Sequence, residues 1–241
     1  MFKHKIKIFL KKNLNKPQYN LIHDLIFNNV TELLLIHLLR YYGLYTPNYN
    51  LTANSIVGTG ISGRYFVESL KKCNFYLEFG SGYSTILATK LKKKYISVES
   101  DKNFYFYLKN KVNKNYYLKD FGIVRYHSIP ILFFFRKRFL KLKAFSYCND
   151  ILKELDKKQI IPDLIFVDGR YRVLIGLFLH KFFYNKKCKF TIIIDDYKDN
   201  THYKILEKFF EIEIIGRLGV CKSIIYNCPN KYIDKYCLDF R

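Results

Sequence analysis

Seven short apolar runs, most of them separated by stretches of helical pattern, constrain the fold of this chain more than any other feature. They lie at 75–79, 95–98, 122–126, 164–167, 190–194, 211–215 and 220–226. Runs that are apolar at nearly every position suit strands covered on both faces. Helical stretches at 84–93, 102–113, 171–183 and 201–210 fall between most of them. Alternation of this kind predicts a doubly wound, Rossmann-like α/β sheet, with ligands held at the carboxyl ends of the strands. Only a short turn around Gly216 separates the last two runs. That is too little chain for a crossover, so those two strands are expected to pair antiparallel. The expected architecture is a seven-stranded, mostly parallel sheet with an antiparallel last strand.

Residues 1–72 read as mainly helical, with a break rich in Pro, Asn and Gly around 43–54 and a helix stop at Gly43. No linker follows them. They are expected to form an N-terminal helical cap (1–72) on a ligand-binding domain (73–241).

The segment Phe-Tyr-Leu-Glu78-Phe-Gly80-Ser81-Gly82-Tyr-Ser84-Thr85 is the first carrier of chemistry. A strand runs into an acid, a Gly-x-Gly turn and a helix start. Glycines let backbone approach a ligand closely, and the new helix offers unpaired N–H groups and a partial positive charge. Glu99 ends the next run, seventeen residues beyond Gly82, where a carboxylate can accept the hydroxyls of a ribose. A dinucleotide site would carry a third glycine for close packing on a pyrophosphate; Thr85 stands in its place. An acid before the first glycine together with Glu99 suits S-adenosylmethionine instead.

A second group of acids follows. The fourth run ends in Asp168-Gly169-Arg170-Tyr171-Arg172-Val173 and the fifth in Asp195-Asp196-Tyr197. With the Glu78–Thr85 loop and Val98-Glu99-Ser100-Asp101, these segments make the chain resemble the class I S-adenosylmethionine-dependent methyltransferases. Within them it is similar to a bacterial-type branch with E-x-G-S-G-x-S-T, V-E-S-D, V-D-G-R-[FY]-R-V and [DH]-D-Y motifs. The resemblance spans roughly residues 60–226. It departs after [DH]-D-Y, where Asn200-Thr-His202-Tyr203 replaces a Pro and a Tyr-His pair, and again after the third run.

The resemblance implies methyl transfer from S-adenosylmethionine, to an oxygen of a small molecule or saccharide. It implies cofactor contacts from Glu78, Gly80, Ser81, Gly82, Ser84, Thr85 and Glu99, with Glu78 near the amino-acid end. Asp168, Asp196 and His202 are the candidate catalytic residues, and Arg170, Arg172 and Tyr203 the candidate substrate contacts. Asp168, Asp195 and Asp196 leave two strands at one edge, and three carboxylates there could hold Mg²⁺ through oxygen ligands. The competing account is that these acids cap helices and pair with Arg170 and Arg172, and it is the favoured one. His202 is read as a general base or as an exposed first-turn histidine. Neither the proline-pair turn of amino-methylating DNA enzymes nor the Pro-Cys nucleophile of cytosine-C5 enzymes is present; Cys228-Pro229 is reversed and remote.

Charge leaves further alternatives. The net charge is +22, which would attract RNA, another acidic polymer or an anionic membrane. The basic residues are thirty-three lysines and nine arginines, a bias that fits compositional drift better than selected bidentate contacts. The alternatives are therefore an RNA-directed methyltransferase and a non-catalytic protein of the same fold. The basic-aromatic stretch 129–143 is read as a lid or core-packed insertion, with docking on a membrane surface as its alternative. Six cysteines without metal spacing, and no apolar run of spanning length, place the chain in a reduced, cytoplasmic setting.

Overall fold

The structure is a computed structural model that describes residues 60–113, 122–127, 137–184, 186–225, 230–237 and 239. Most of the expected cap, 1–59, lies outside the described residues, as do 129–136 of the basic-aromatic stretch. The described elements begin with α1 (Ile61–Lys72), β1 (Phe75–Phe79), α2 (Tyr83–Lys90), β2 (Lys94–Glu99) and α3 (Lys102–Asn113). They continue with β3 (Gly122–Tyr126), α4 (Lys137–Lys157), β4 (Leu164–Val167), α5 (Arg172–Phe183) and β5 (Thr191–Ile194). A 3-10 helix (Thr201–Lys208), β6 (Phe210–Ile215), β7 (Leu218–Ile224) and α6 (Asn230–Tyr236) complete the order.

The seven strands form one sheet in the order β3-β2-β1-β4-β5-β7-β6. β7 runs antiparallel to both β5 and β6, and the remaining pairs are parallel. The tight turn after β6 forces that reversal, as expected.

Side chains alternate across the sheet with the period of a strand. Leu77, Phe79, Ile165, Val167, Ile192 and Ile194 face one core, shared with α4, α5 and α6. Tyr76, Tyr95, Phe166 and Ile193 face the other, shared with α1 and α2. Helices on both faces are what allow β4 and β5 to be apolar at every buried position.

Two elements differ from the sequence expectation. The crossover from β3 to β4 is a 21-residue helix, α4, where only a basic-aromatic segment had been singled out. Its buried residues Ala144, Tyr147, Cys148, Ile151, Leu152 and Leu155 recur every three or four positions, the stripe of a core-facing helix. Residues 137–143 of the 129–143 stretch are its first turns. The second is 201–208, expected as an α-helix and found as a 3-10 helix. Tyr203, Leu206 and Phe209 are all buried and lie three residues apart, so only a three-residue turn stacks them on one face.

Five cysteines (Cys73, Cys148, Cys188, Cys221 and Cys237) are free. No helix among the described residues is long and apolar enough to cross a membrane.

Candidate functional site

The register of the sheet lines up the residues that leave its carboxyl edge. Phe79 pairs with Val98 on one side and Val167 on the other, and Val167 pairs with Ile194. The residues one step further, Glu99, Gly80, Asp168 and Asp195, therefore stand in a row. Backbone bonds continue the ladder to them: Gly80 N donates to Val98 O, Asp168 N to Phe79 O and Asp195 N to Val167 O. The chain leaves β1 toward β2, and β4 lies on the other side, so the strand order reverses between β1 and β4. A crevice forms at such a switch point.

The crevice is an open cleft of about 450 Å³ lined by the Gly80–Ser81 turn, Glu99–Asp101, Phe104, the Asp168–Arg170 segment, Arg172 and Tyr203. Gly80 has φ +92, and a Cβ on it would lie 2.4 Å from Gly169 N. Two backbone turns thus meet at the floor of the cleft, and neither has room for a side chain at that point. Gly82 differs. Its backbone is extended, and a Cβ there would meet nothing closer than Ser84 Oγ at 3.6 Å. Protein packing does not require a glycine at 82.

A second cavity of about 410 Å³ opens at the opposite end of the sheet, between Lys72, Asp163 and Lys189. It has neither the glycine turn nor the row of acids, and parallel sheets bind ligands at the carboxyl end.

Glu99 is almost wholly buried yet lines the cleft. Its Oε1 accepts N–H groups of Ser100 (2.6 Å) and Asp101 (2.7 Å), and its Oε2 accepts Ser81 N–H (3.1 Å). Three of about four lone-pair sites are used, and the remaining one, on Oε2, is left for a ligand hydroxyl. Burial pushes its pKa up to about 7 against the pull of those N–H groups. Asp101 accepts from Asn103 and Phe104 N–H and so caps α3.

Glu78 is placed differently from the expectation that it contacts the cofactor. It is fully buried on the α1/α2 side of the sheet and does not line the cleft. Tyr76 and Ser84 hydroxyls donate to its Oε1, and Thr85 (2.5 Å) and Ser97 (2.7 Å) to its Oε2. Four donors fill a carboxylate. Burial raises its pKa, and the four hydroxyls oppose the rise. Ser84 and Thr85 are corrected with it: both are buried and point at Glu78. Thr85 Oγ1 also accepts Gly82 N–H at 3.0 Å, and Ser81 Oγ pairs with Ser97 Oγ at 2.6 Å. The string from Glu78 to Thr85 is a self-contained hydroxyl–carboxylate knot that fixes the turn. Only Gly80 and Ser81 of that string line the cleft.

Asp168, Asp195 and Asp196 do converge, with one oxygen from each within 4.8 Å of the others. Two guanidinium groups are threaded between them. Arg172 pairs with Asp168 (3.0 Å) and Asp196 (3.2 Å), and Arg217 pairs with Asp195 (2.6 Å) and Asp196 (3.6 Å). The two guanidinium groups offset two of the three carboxylate charges and engage an oxygen of every aspartate, so the donor set fits ion pairing better than a metal ion. The pairing account was right in kind, with Arg217 in place of Arg170. Arg172 also donates to the carbonyls of Gly169 (3.0 Å), Asp195 (2.7 Å) and Asp168 (3.3 Å). All of its donors are engaged, so Arg172 is a strut between β4 and β5 rather than a substrate contact.

Asp168 remains the acid on the cleft wall. Burial and the neighbouring Asp195 and Asp196 raise its pKa, while Arg172 opposes them. Asp195 is buried and also raised, first by burial and then by Asp196. Asp196 does not line the cleft; it has a left-handed backbone (φ 54), a conformation an aspartate tolerates better than most residues. His202 lies off the cleft with its ring against Tyr203, centroids 4.1 Å apart. Tyr203 itself is on the wall, with Arg172 6.0 Å above its ring. Sequence reasoning missed Phe104 and Gly169 as wall residues and Arg217 as the partner of Asp195.

No protein-family model matches the chain, and no curated protein matches it. Among solved structures it is similar to a methyltransferase-like protein from Silicibacter pomeroyi DSS-3. Identity is 21%, the TM-score is 0.60, and the match covers 74% of this chain and 93% of that one. The fold is that of a Rossmann-like methyltransferase. A likeness to the SAH-bound Podospora anserina methyltransferase PaMTH1 is weaker, at 13% identity and TM-score 0.44 over 87% of this chain and 97% of the other.

Proposed function

We propose that the chain binds S-adenosylmethionine in the β1–β4 crevice and transfers its methyl group to an oxygen of a small molecule or saccharide. One observation carries this reading. Glu99 is held by three backbone N–H groups with one acceptor site left over, beside the Gly80–Ser81 turn and across from Asp168. A carboxylate so fixed suits a ribose hydroxyl, the Gly80–Ser81 turn suits close approach of a ligand, and Phe104 adds an aromatic residue to the wall.

S-adenosylmethionine, when bound, supplies a methyl group on a positively charged sulfur. The chain's own residues then have two tasks. Glu99 and the β1–α2 turn fix the ligand, so that reaction depends on orientation more than on new covalent chemistry. Asp168, with its raised pKa, is suited to accept the proton of an acceptor hydroxyl near neutral pH. Arg172 holds that carboxylate in place.

Titration calorimetry with S-adenosylhomocysteine tests the reading. Binding by the unmodified protein, with at least tenfold loss in Glu99→Ala, is expected. Failure of the unmodified protein to bind would overturn it.

A further inference from the structure

The structure describes the side chains of five arginines, and three of them, Arg170, Arg172 and Arg217, stand at the edge of the sheet where β4 and β5 end and β7 begins. Arg125 forks onto Glu154. Arg172 and Arg217 are bound between aspartates. Arg64 is exposed to solvent. Arg170 alone is half-buried, lines the cleft, and has neither a hydrogen bond nor an ion pair among the described residues. A guanidinium partly removed from water, with five donors and no acceptor, is an unmet demand for a carboxylate or phosphate.

Its surroundings favour such a partner. The aspartates beside it are already bridged by Arg172 and Arg217, so they do not compete for Arg170. Tyr171, which follows it, is buried in a left-handed backbone (φ 59), a costly conformation for a bulky residue. That turn sets how the chain leaves β4 and therefore where Arg170 stands. α5 begins at Arg172 with no capping side chain and no acid in its first turn, so its dipole adds to the positive potential. Tyr203 closes the same end of the cleft, while Glu99 and Phe104 stand at the other.

We infer that Arg170 is the anion anchor of this cleft and takes a carboxylate or phosphate group at the β4 end. The inference rests on the proposed adenosyl site for its second ligand. With a nucleoside on Glu99, the anion belongs either to the methyl acceptor, which is then a hydroxy acid or a sugar phosphate, or to the amino-acid tail of the adenosyl ligand.

The test compares the unmodified protein with Arg170→Gln and Arg170→Lys. Three probes are titrated by calorimetry: S-adenosylhomocysteine, 5′-methylthioadenosine (the same nucleoside without the amino-acid carboxylate), and inorganic phosphate added with and without methylthioadenosine. Thermal melting confirms that the variants fold; Arg170 has no partner to lose, so the midpoint should not move. About tenfold weaker S-adenosylhomocysteine binding in Arg170→Gln, with methylthioadenosine unchanged, assigns the anion to the ligand's own tail. Unchanged binding of both, with phosphate bound by the unmodified protein and lost in Arg170→Gln, assigns it to the acceptor. In either case Arg170→Lys should recover only part of the loss, because it lacks the planar fork. Equal behaviour of all three proteins toward all three probes overturns the inference. Should neither adenosyl compound bind the unmodified protein, the adenosyl reading fails, and the phosphate titration alone still decides the role of Arg170.

Discussion

Gly80 and Gly82 sit two residues apart in one turn, yet the structure gives them different physical reasons to be glycine. An alanine at 80 would place its Cβ 2.4 Å from Gly169 N and 2.5 Å from Gly169 Cα, at φ +92. Both obstacles are backbone, and that backbone is fixed by the Asp168 N–H bond to Phe79 O. The unfavourable φ costs about 1–2 kcal/mol, and overpacking against a fixed neighbour about 1–3 kcal/mol. Gly80→Ala should therefore lose about 2–5 kcal/mol, a large share of the ~5–15 kcal/mol available to a domain. With a urea slope near ~2 kcal/mol per molar, the unfolding midpoint should fall by about 1–2.5 M. Gly82→Ala meets no atom within 3.6 Å and should lose less than about 1 kcal/mol, mostly as a poorer helix N-cap. Gly82 does not line the cleft, so S-adenosylhomocysteine binding should be retained. Urea unfolding followed by circular dichroism, together with calorimetry, separates the two. A Gly80→Ala midpoint within experimental error of the unmodified protein would refute the close-approach argument. Loss of S-adenosylhomocysteine binding in a folded Gly82→Ala variant would refute the placement of Gly82 outside the cleft.

Two further outcomes are expected. The folded-state pKa of Glu99 is raised from 4.5 to about 7, so between those values the folded chain holds a proton that the unfolded chain has released. Stability should fall as pH rises through that window, by on the order of 3 kcal/mol, and Glu99→Gln should flatten the profile in thermal melts from pH 4 to 8. Hydroxyl donors need the ionised carboxylate, so adenosyl affinity should rise toward pH 7 and level off above it; an affinity independent of pH would argue against a ribose contact. Arg172→Ala leaves Asp168 without its ion-pair partner, leaves Asp196 with Arg217 alone, and leaves three carbonyls without this donor. Solvent screens both partly exposed carboxylates, so a loss of about 1–2 kcal/mol in urea unfolding is expected, chiefly from the carbonyl hydrogen bonds, and a loss below ~0.5 kcal/mol would show that the strut is dispensable.

Much of this protein was legible in the order of its residues. Strands apolar at nearly every position, β4 and β5 above all, demanded a sheet covered on both faces, and the Gly216 turn demanded an antiparallel pair at its end. Glu99 was identifiable because its distance from the glycine turn is set by one helix and one strand. Helix α4 was also legible, in the stripe from Ala144 to Leu155, but the denser signal of charge and aromatics just before it drew the reading away.

Tertiary structure decided what each polar side chain faces. The string from Glu78 to Thr85 looks like a row of ligand contacts. The strand's two-residue period turns Glu78 to the far side of the sheet, and burial there obliges four hydroxyls to close on it. Asp168, Asp195 and Asp196 look like a metal cluster, yet Arg217, brought in from the β6–β7 turn, and Arg172 engage all three. Arg172 beside Asp168 is legible four residues along the chain, but Arg217 reaches Asp195 from a turn between later strands, which no local motif could disclose. The same pairing leaves Arg170 as the one guanidinium in the cleft without an acceptor among the described residues. Sequence alone specified the sheet and the edge at which a ligand binds. Only the packed chain showed which residues at that edge are spent on holding it together, because a hydrogen-bond donor has one partner at a time and the fold chooses it.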